Sequence, residues 1–185
     1  MDWRNSMNKH IVVLLVGSSA SGKDSIAHEL VKLGYSQVLS YATRPQRINE
    51  GNTHIFIHDG EVDQYKKNMI ALTVIGSFTY FATRQQLEES DLYVIDPTGV
   101  KYLKQLVKDI KFITIHINLP EEVRFQRAIS RGDKKGDIIK RFIDESERFK
   151  DFVVNGEYDY SVTNDNLEKT VSVIKSIIEW EKFYE

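Results

Sequence analysis

The run Ile11–Val16, IVVLLV, is aliphatic without a polar break, and the loop GSSASGK comes directly after it. A strand that faces water on one side alternates apolar and polar residues; one covered on both faces reads as an unbroken apolar run. Such a strand belongs inside a parallel sheet with helices above and below. The next stretch agrees: SGKDSIAHELVKLG carries Ile26, Leu30 and Leu33 at helical spacing and stops at Gly34. The rest of the chain repeats the alternation. SQVLSY, DLYVID, KFITIHIN and YDYSVTND read as further strands. TGVKYLKQLVKD, PEEVRFQRAISRG, DIIKRFIDESERFKDF and NLEKTVSVIKSIIEWEKF read as helices, the third with Ile138, Phe142, Glu145 and Phe149 on one stripe. The expected fold is an α/β sandwich of three layers around a five-stranded parallel sheet.

Tyr41–Glu89 breaks the rhythm. It combines a basic loop, TRPQR, with short strand-like pieces, THIFIH, IALTVI and SFTYFAT, and reads as a lobe inserted into the core. RGDKKGD, between two helices, reads as a second, smaller irregular insert. The expected organisation is one domain, with core at about 8–40, 90–130 and 137–185, the lobe at about 41–89 and a lid at about 131–137.

Composition narrows the chemistry. With 185 residues there is enough chain for one substantial core. The net charge of −2 gives no global attraction to nucleic acid or anionic membrane. No cysteine is present, so disulfides and thiolate metal sites are excluded. The run Ile11–Val16 is far too short to span a bilayer and short for a signal-peptide core, and a cytoplasmic chain is expected.

Gly17, Ser18, Ser19, Ala20, Ser21, Gly22 and Lys23 fit G-x-x-x-x-G-K, a loop whose inward-turned amides cradle phosphate oxygens. The helix behind it adds the positive end of its dipole, and Lys23 a point charge for β- and γ-phosphates. Asp24 stands where a hydroxyl usually ligates Mg²⁺. A carboxylate also suits a hard cation, so Asp24 and the next hydroxyl, Ser25, are the candidate metal ligands. Downstream, Arg44 and Arg47 flank Pro45, whose ring stiffens the loop; two guanidinium forks there suit a second phosphoryl group.

Taken in order, these stretches resemble guanylate kinases. GSSASGKDS is similar to the family's phosphate loop, SYATRPQR to its S-x-T-T-R-x-x-R stretch, and YFAT to its Y-G-x-T. VIDPTGV, QRAISRG, IIKRF and VTNDNLEKTV resemble its later motifs, from about His10 to the C-terminus. The resemblance implies a P-loop NTPase fold and ATP- and Mg²⁺-dependent transfer to a small phosphorylated acceptor, in the first place a nucleoside monophosphate. It implies that Gly17–Ser25, Arg127, Asn164 and Asp165 bind ATP, with Asn164 and Asp165 near its base. Ser40, Arg44, Arg47, His54, Tyr80, Thr83 and Asp96 would hold the acceptor. Lys23, Arg44, Arg131 and Arg141 would carry the catalysis, the last two as lid arginines. Partners would be small molecules, with no nucleic acid and no membrane, in a monomer or homodimer.

Three departures bear on the acceptor. Asp24 is one. His54 stands where the family has a tyrosine reaching the acceptor phosphate. Around Ile70, Ala71 and Leu72 there is no match for the glutamate that reads guanine, and Val94 replaces an aspartate. Base specificity therefore stays open. GKDS and the short EGNTHI also resemble ribose 1,5-bisphosphate phosphokinases, whose acceptor has no base. A non-catalytic guanylate-kinase-like binding module and a nucleotide-driven switch are further readings; Lys23 and the paired arginines have no use in a scaffold.

Overall fold

A computed structural model describes residues 10–46 and 51–184. The first sheet is parallel. Its central strands are β1 (Ile11–Val16) and β7 (Lys111–Asn118), flanked by β6 (Leu92–Val94) and β8 (Tyr160–Thr163), in the order β6-β1-β7-β8. Every residue of β1 is buried. Its side chains divide by parity, as the pleat requires. Val12, Leu14 and Val16 enter one core with Val100 and Leu103 of α3 (Pro97–Leu106) and Phe149 and Phe152 of α5 (Lys135–Val154). Ile11, Val13 and Leu15 enter the other with Ile26 and Leu30 of α1 (Lys23–Lys32) and Ile174 and Ile178 of α6 (Leu167–Phe183). Each such side chain, fully buried, contributes about 1.5–3 kcal/mol relative to exposure. This is the three-layer sandwich expected from the run.

The parallel sheet has four strands, not five. Of the expected strand SQVLSY only Gln37 pairs with this sheet, by one bridge to Leu92, with Val38 N–H donating to Leu92 O at 2.8 Å. The chain then leaves this edge for the second sheet, where Tyr41–Ala42 form β2. One short stretch serves two sheets, and that caps its length in each.

The lobe's mixed sheet runs β3-β2-β5-β4, with β3 at Ile55–Phe56, β4 at Met69–Ile75 and β5 at Phe78–Thr83. β4 and β5 form an antiparallel hairpin with a register shift between Met69 and Ala71. A 3₁₀ stretch, Asp59–Tyr65, and a short α2, Arg84–Glu88, complete it. Neither is expected from the apolar periodicity. α4 (Glu121–Ser130) leads into the 131–134 turn and α5. No helix among the described residues is long and apolar enough to cross a membrane.

Candidate active site

β1 ends at Val16 and α1 starts at Lys23, so the residues between must reverse direction within a single loop. They do so with left-handed backbone at Ala20 (φ 63°) and Gly22 (φ 92°). A Cβ on Gly17 would lie 2.6 Å from Ser21 Oγ and 2.7 Å from Ile117 O, so only glycine fits there. Ser21 is fully buried and its N–H donates to Ser18 O at 3.0 Å. The amides of Ala20, Gly22, Lys23, Asp24 and Ser25 have no hydrogen-bond partner among the described residues. Unpaired amides at the start of a helix form an anion site. Lys23 Nζ lies 3.9 Å from Asp24 Oδ2, and that carboxylate is 55% exposed.

The loop opens into a cleft of about 610 Å³ between the two sheets. On the near side are Gly17, Ser19, Lys23, Asp24 and Ser25. The lobe contributes Ser40, Arg44, His54 and Tyr80 from across it. Ser40 Oγ and His54 Nδ1 are 2.9 Å apart, and the His54 ring meets Tyr80 edge-on at 5.7 Å. Arg44 is 7% exposed; its Nη1 donates to Pro45 O at 2.9 Å and its guanidinium lies 5.2 Å from the Phe56 ring centroid. A guanidinium stays charged however deeply it is buried, so this is a fixed positive charge facing the cleft. Arg47 lies outside the described residues.

Arg131 and Arg141 reach the cleft from the α4–α5 turn and the α5 helix, and both bond Asp133. Arg131 bonds it through Nε at 3.3 Å and Nη2 at 2.5 Å, and Arg141 through Nη1 at 3.1 Å. Hydrogen bonding from Arg131 foremost, then Arg141, holds the Asp133 carboxyl below its ordinary range. Asp96, at the end of β6, also lines the cleft, while its Oδ1 caps α3 by accepting from Thr98 N at 2.8 Å and Gly99 N at 3.2 Å. Tyr93 beside it is buried, which pushes its phenol upward, and the Asp96 charge adds to this.

Several candidates stand elsewhere. Thr83 is buried away from the cleft lining and caps α2 in a reciprocal box with Gln86. Asn164 is 2% exposed and its Nδ2 donates to Ser21 O at 2.7 Å, so it holds the loop from behind. Arg127 Nη2 donates to Asn164 O at 2.9 Å and likewise lies outside the cleft lining. Asp165 is exposed next to Asn166, the N-cap of α6. Arg131, the C-cap of α4 with its N–H still bonded to Arg127 O at 3.1 Å, lines the cleft, whereas the Arg127 guanidinium is turned to Asn164 O. Conversely, the cleft takes in Asp133, Glu145 and Arg148, none of them a site candidate from sequence. One signal was available: Glu145 is an acid inside an apolar helical stripe.

The chain has known counterparts. A family model described as guanylate kinase matches residues 8–181. The guanylate kinase of Rickettsia prowazekii (strain Madrid E) is 29% identical over 184 residues, covering 92% of this chain and 91% of that protein. That of Clostridium tetani (strain Massachusetts / E88) is 28% identical over 188 residues, covering 95% and 88%. The crystal structure of guanylate kinase from Anaplasma phagocytophilum superposes with a TM-score of 0.65 at 24% identity, covering 95% of this chain and 89% of that one. The chain therefore belongs to the guanylate kinase family, phosphotransferases of the nucleoside monophosphate kinase type.

Proposed function

We propose that this protein moves the γ-phosphoryl group of ATP, with Mg²⁺, onto the phosphate of a nucleoside monophosphate. The observation that carries the reading is one cleft with two opposed surfaces, each chemically suited to a phosphate group. Unpaired amides and Lys23 form one; Arg44 with Tyr80 and His54 forms the other. The loop residues bind and orient the donor, and Arg44 orients the acceptor, so catalysis rests on positioning and charge stabilisation. Arg131 and Arg141 meet the charge on the transferring group once drawn from Asp133. No side chain need act as a strong base, because an acceptor phosphate oxygen is already anionic.

Oxygen donors at the loop fit a hard cation. Asp24 and Ser25 would hold Mg²⁺, sharing it with the donor phosphates, which suits an ion that takes few protein ligands and keeps several waters. The ion would supply neutralisation of phosphate charge. Among the described residues there is no cluster of three or more acidic or histidine side chains able to form an all-protein metal cage, in keeping with a shared site. The setting is cytoplasmic and the partners are small molecules.

A second acceptor reading is favoured by one observation. Where a guanine edge would need an acid, the cleft presents Ala71, Leu72, Thr73 and Val94. A sugar bisphosphate, lacking a base, asks for no such acid. The deciding experiment measures ATP consumption with Mg²⁺ across GMP, dGMP, the other nucleoside monophosphates and ribose 1,5-bisphosphate. Turnover with a nucleotide is expected; turnover with the sugar bisphosphate alone installs the second reading, and none with any acceptor sinks both.

A further inference from the structure

Glu145 belongs to the stripe Ile138, Phe142, Glu145 and Phe149 of α5, and is itself only 9% exposed. An ionised carboxylate in such a place is costly unless its oxygens are satisfied. Both are, and by one residue of the phosphate loop. Ser19 N–H donates to Oε2 at 2.9 Å, and Ser19 Oγ–H donates to Oε1. Arg124 of α4 completes the grip. Its Nη1 donates to Ser19 O at 3.3 Å and lies 3.8 Å from Glu145 Oε2, while its guanidinium stacks over Phe142 at 4.4 Å. Every polar group of Ser19 is thus held by a side chain from α4 or α5.

The consequence lies in the next residue. Ala20 takes φ 63°, a left-handed conformation that costs an L-residue about 1–2 kcal/mol. Side chains fix the loop on both sides of it, Glu145 and Arg124 at Ser19 and Asn164 at Ser21 O. So pinned, the loop keeps the amides of Ala20 and of Gly22 to Ser25 unpaired for a ligand. Glu145 also stands one helical turn beyond Arg141, so the helix that carries a lid arginine is tied to the loop.

We propose that Glu145 is a positioning residue for the phosphate donor: with Arg124 it locks Ser19, holds the loop open to phosphate and couples it to α5. This rests on the donor-site reading above. The experiment compares wild type, Glu145→Ala, Glu145→Gln and Ser19→Ala by binding of a fluorescent ATP analogue, binding of a nucleoside monophosphate, and hydrogen exchange of the loop amides. Donor binding by the wild type tests the parent reading by itself. If it holds, Glu145→Ala weakens donor binding about tenfold, consistent with losing hydrogen bonds to a charged group. Acceptor binding stays within about twofold, and exchange at residues 19–21 speeds up. Glu145→Gln retains an acceptor for Ser19 N–H and recovers most of the affinity. Ser19→Ala, which leaves the buried helix face intact, falls between the two and decides the matter if Glu145→Ala does not fold. Unchanged donor affinity and exchange in the variants overturn the proposal. So does tighter donor binding, which would make the carboxylate a competitor of phosphate, or an equal loss for donor and acceptor.

Discussion

Two loop residues take left-handed backbone, Ala20 and Gly22, and they do not tolerate side chains equally. The Ala20 methyl joins the small cluster of Ala128, Ile138 and Phe142. A Cβ on Gly22 would lie 2.2 Å from Asn164 Nδ2, the atom that donates to Ser21 O. Gly22→Ala therefore adds left-handed strain and displaces a buried hydrogen bond. The expected loss is about 2–4 kcal/mol, read as a lowered denaturant midpoint at constant m-value. A loss below about 0.5 kcal/mol would show that the loop relaxes freely and that Asn164 is no brace. This scale is also where the sequence was least legible. Lys23, Asp24, Ser40, Arg44, His54, Tyr80, Arg131 and Arg141 stand out in motifs, and all line one cleft. Thr83, Arg127 and Asn164 belong to the same motifs, yet their side chains cap a helix or brace the loop. A motif records which residue types recur; it does not say whether a polar side chain meets a ligand or a distant carbonyl.

At the scale of elements, legibility tracked burial. β1 and the long helices declare themselves because wholly buried strands and one-sided helices impose strong periodicity. The edge at Gln37 did not, since a single bridge leaves no pattern. α2 is easily overlooked although Thr83 and Gln86 stand at capping-box spacing, a signal independent of apolar periodicity. The 131–134 turn is another element with little apolar content, and the Asp133 side chain ties it to Arg141 of α5. Its pairs with Arg131 and Arg141 are partly exposed, with 51% exposure at Arg131 and 26% at Arg141. Such pairs contribute no more than about 1 kcal/mol. Because the folded state lowers the Asp133 pKa, the contribution is present above its unfolded value, near 3.9, and lost as pH falls through the folded value. Asp133→Asn should thus be slightly less stable than wild type at about pH 7 and equal to it once the pH is well below the folded value. Urea titrations of both proteins at the two pH values check this. A gap that persisted in acid would assign the effect to packing instead of charge.

For the whole molecule, the decisive fact is that the two sides of the cleft belong to different sheets, one side the donor surface and the other the acceptor surface of the proposed reading. The loop hangs from β1 in the parallel sheet, whereas Tyr80 belongs to the lobe's β5 and Ser40 and His54 flank its β2 and β3. Water reaching the transferring phosphoryl would divert it to hydrolysis, so an enzyme of this design gains by assembling its site only when both substrates are present. In this structure Arg131 and Arg141 bond Asp133, so on the proposed reading phosphate must outcompete that carboxylate before the 131–137 segment closes over the cleft as a lid. The chain contains no cysteine, which makes the motion directly measurable. Lys67 on the lobe and Lys135 at the start of α5 are exposed and outside the cleft lining. Replacing both with cysteine and attaching a donor–acceptor dye pair reports the distance between lobe and lid. A non-hydrolysable ATP analogue alone should raise energy transfer modestly, by moving the lid. The analogue together with a nucleoside monophosphate should raise it further, by bringing in the lobe. Energy transfer unchanged by either ligand, while both demonstrably bind, would mean that the cleft is preformed. Arg131 and Arg141 would then have to act from where they stand, with Asp133 still attached.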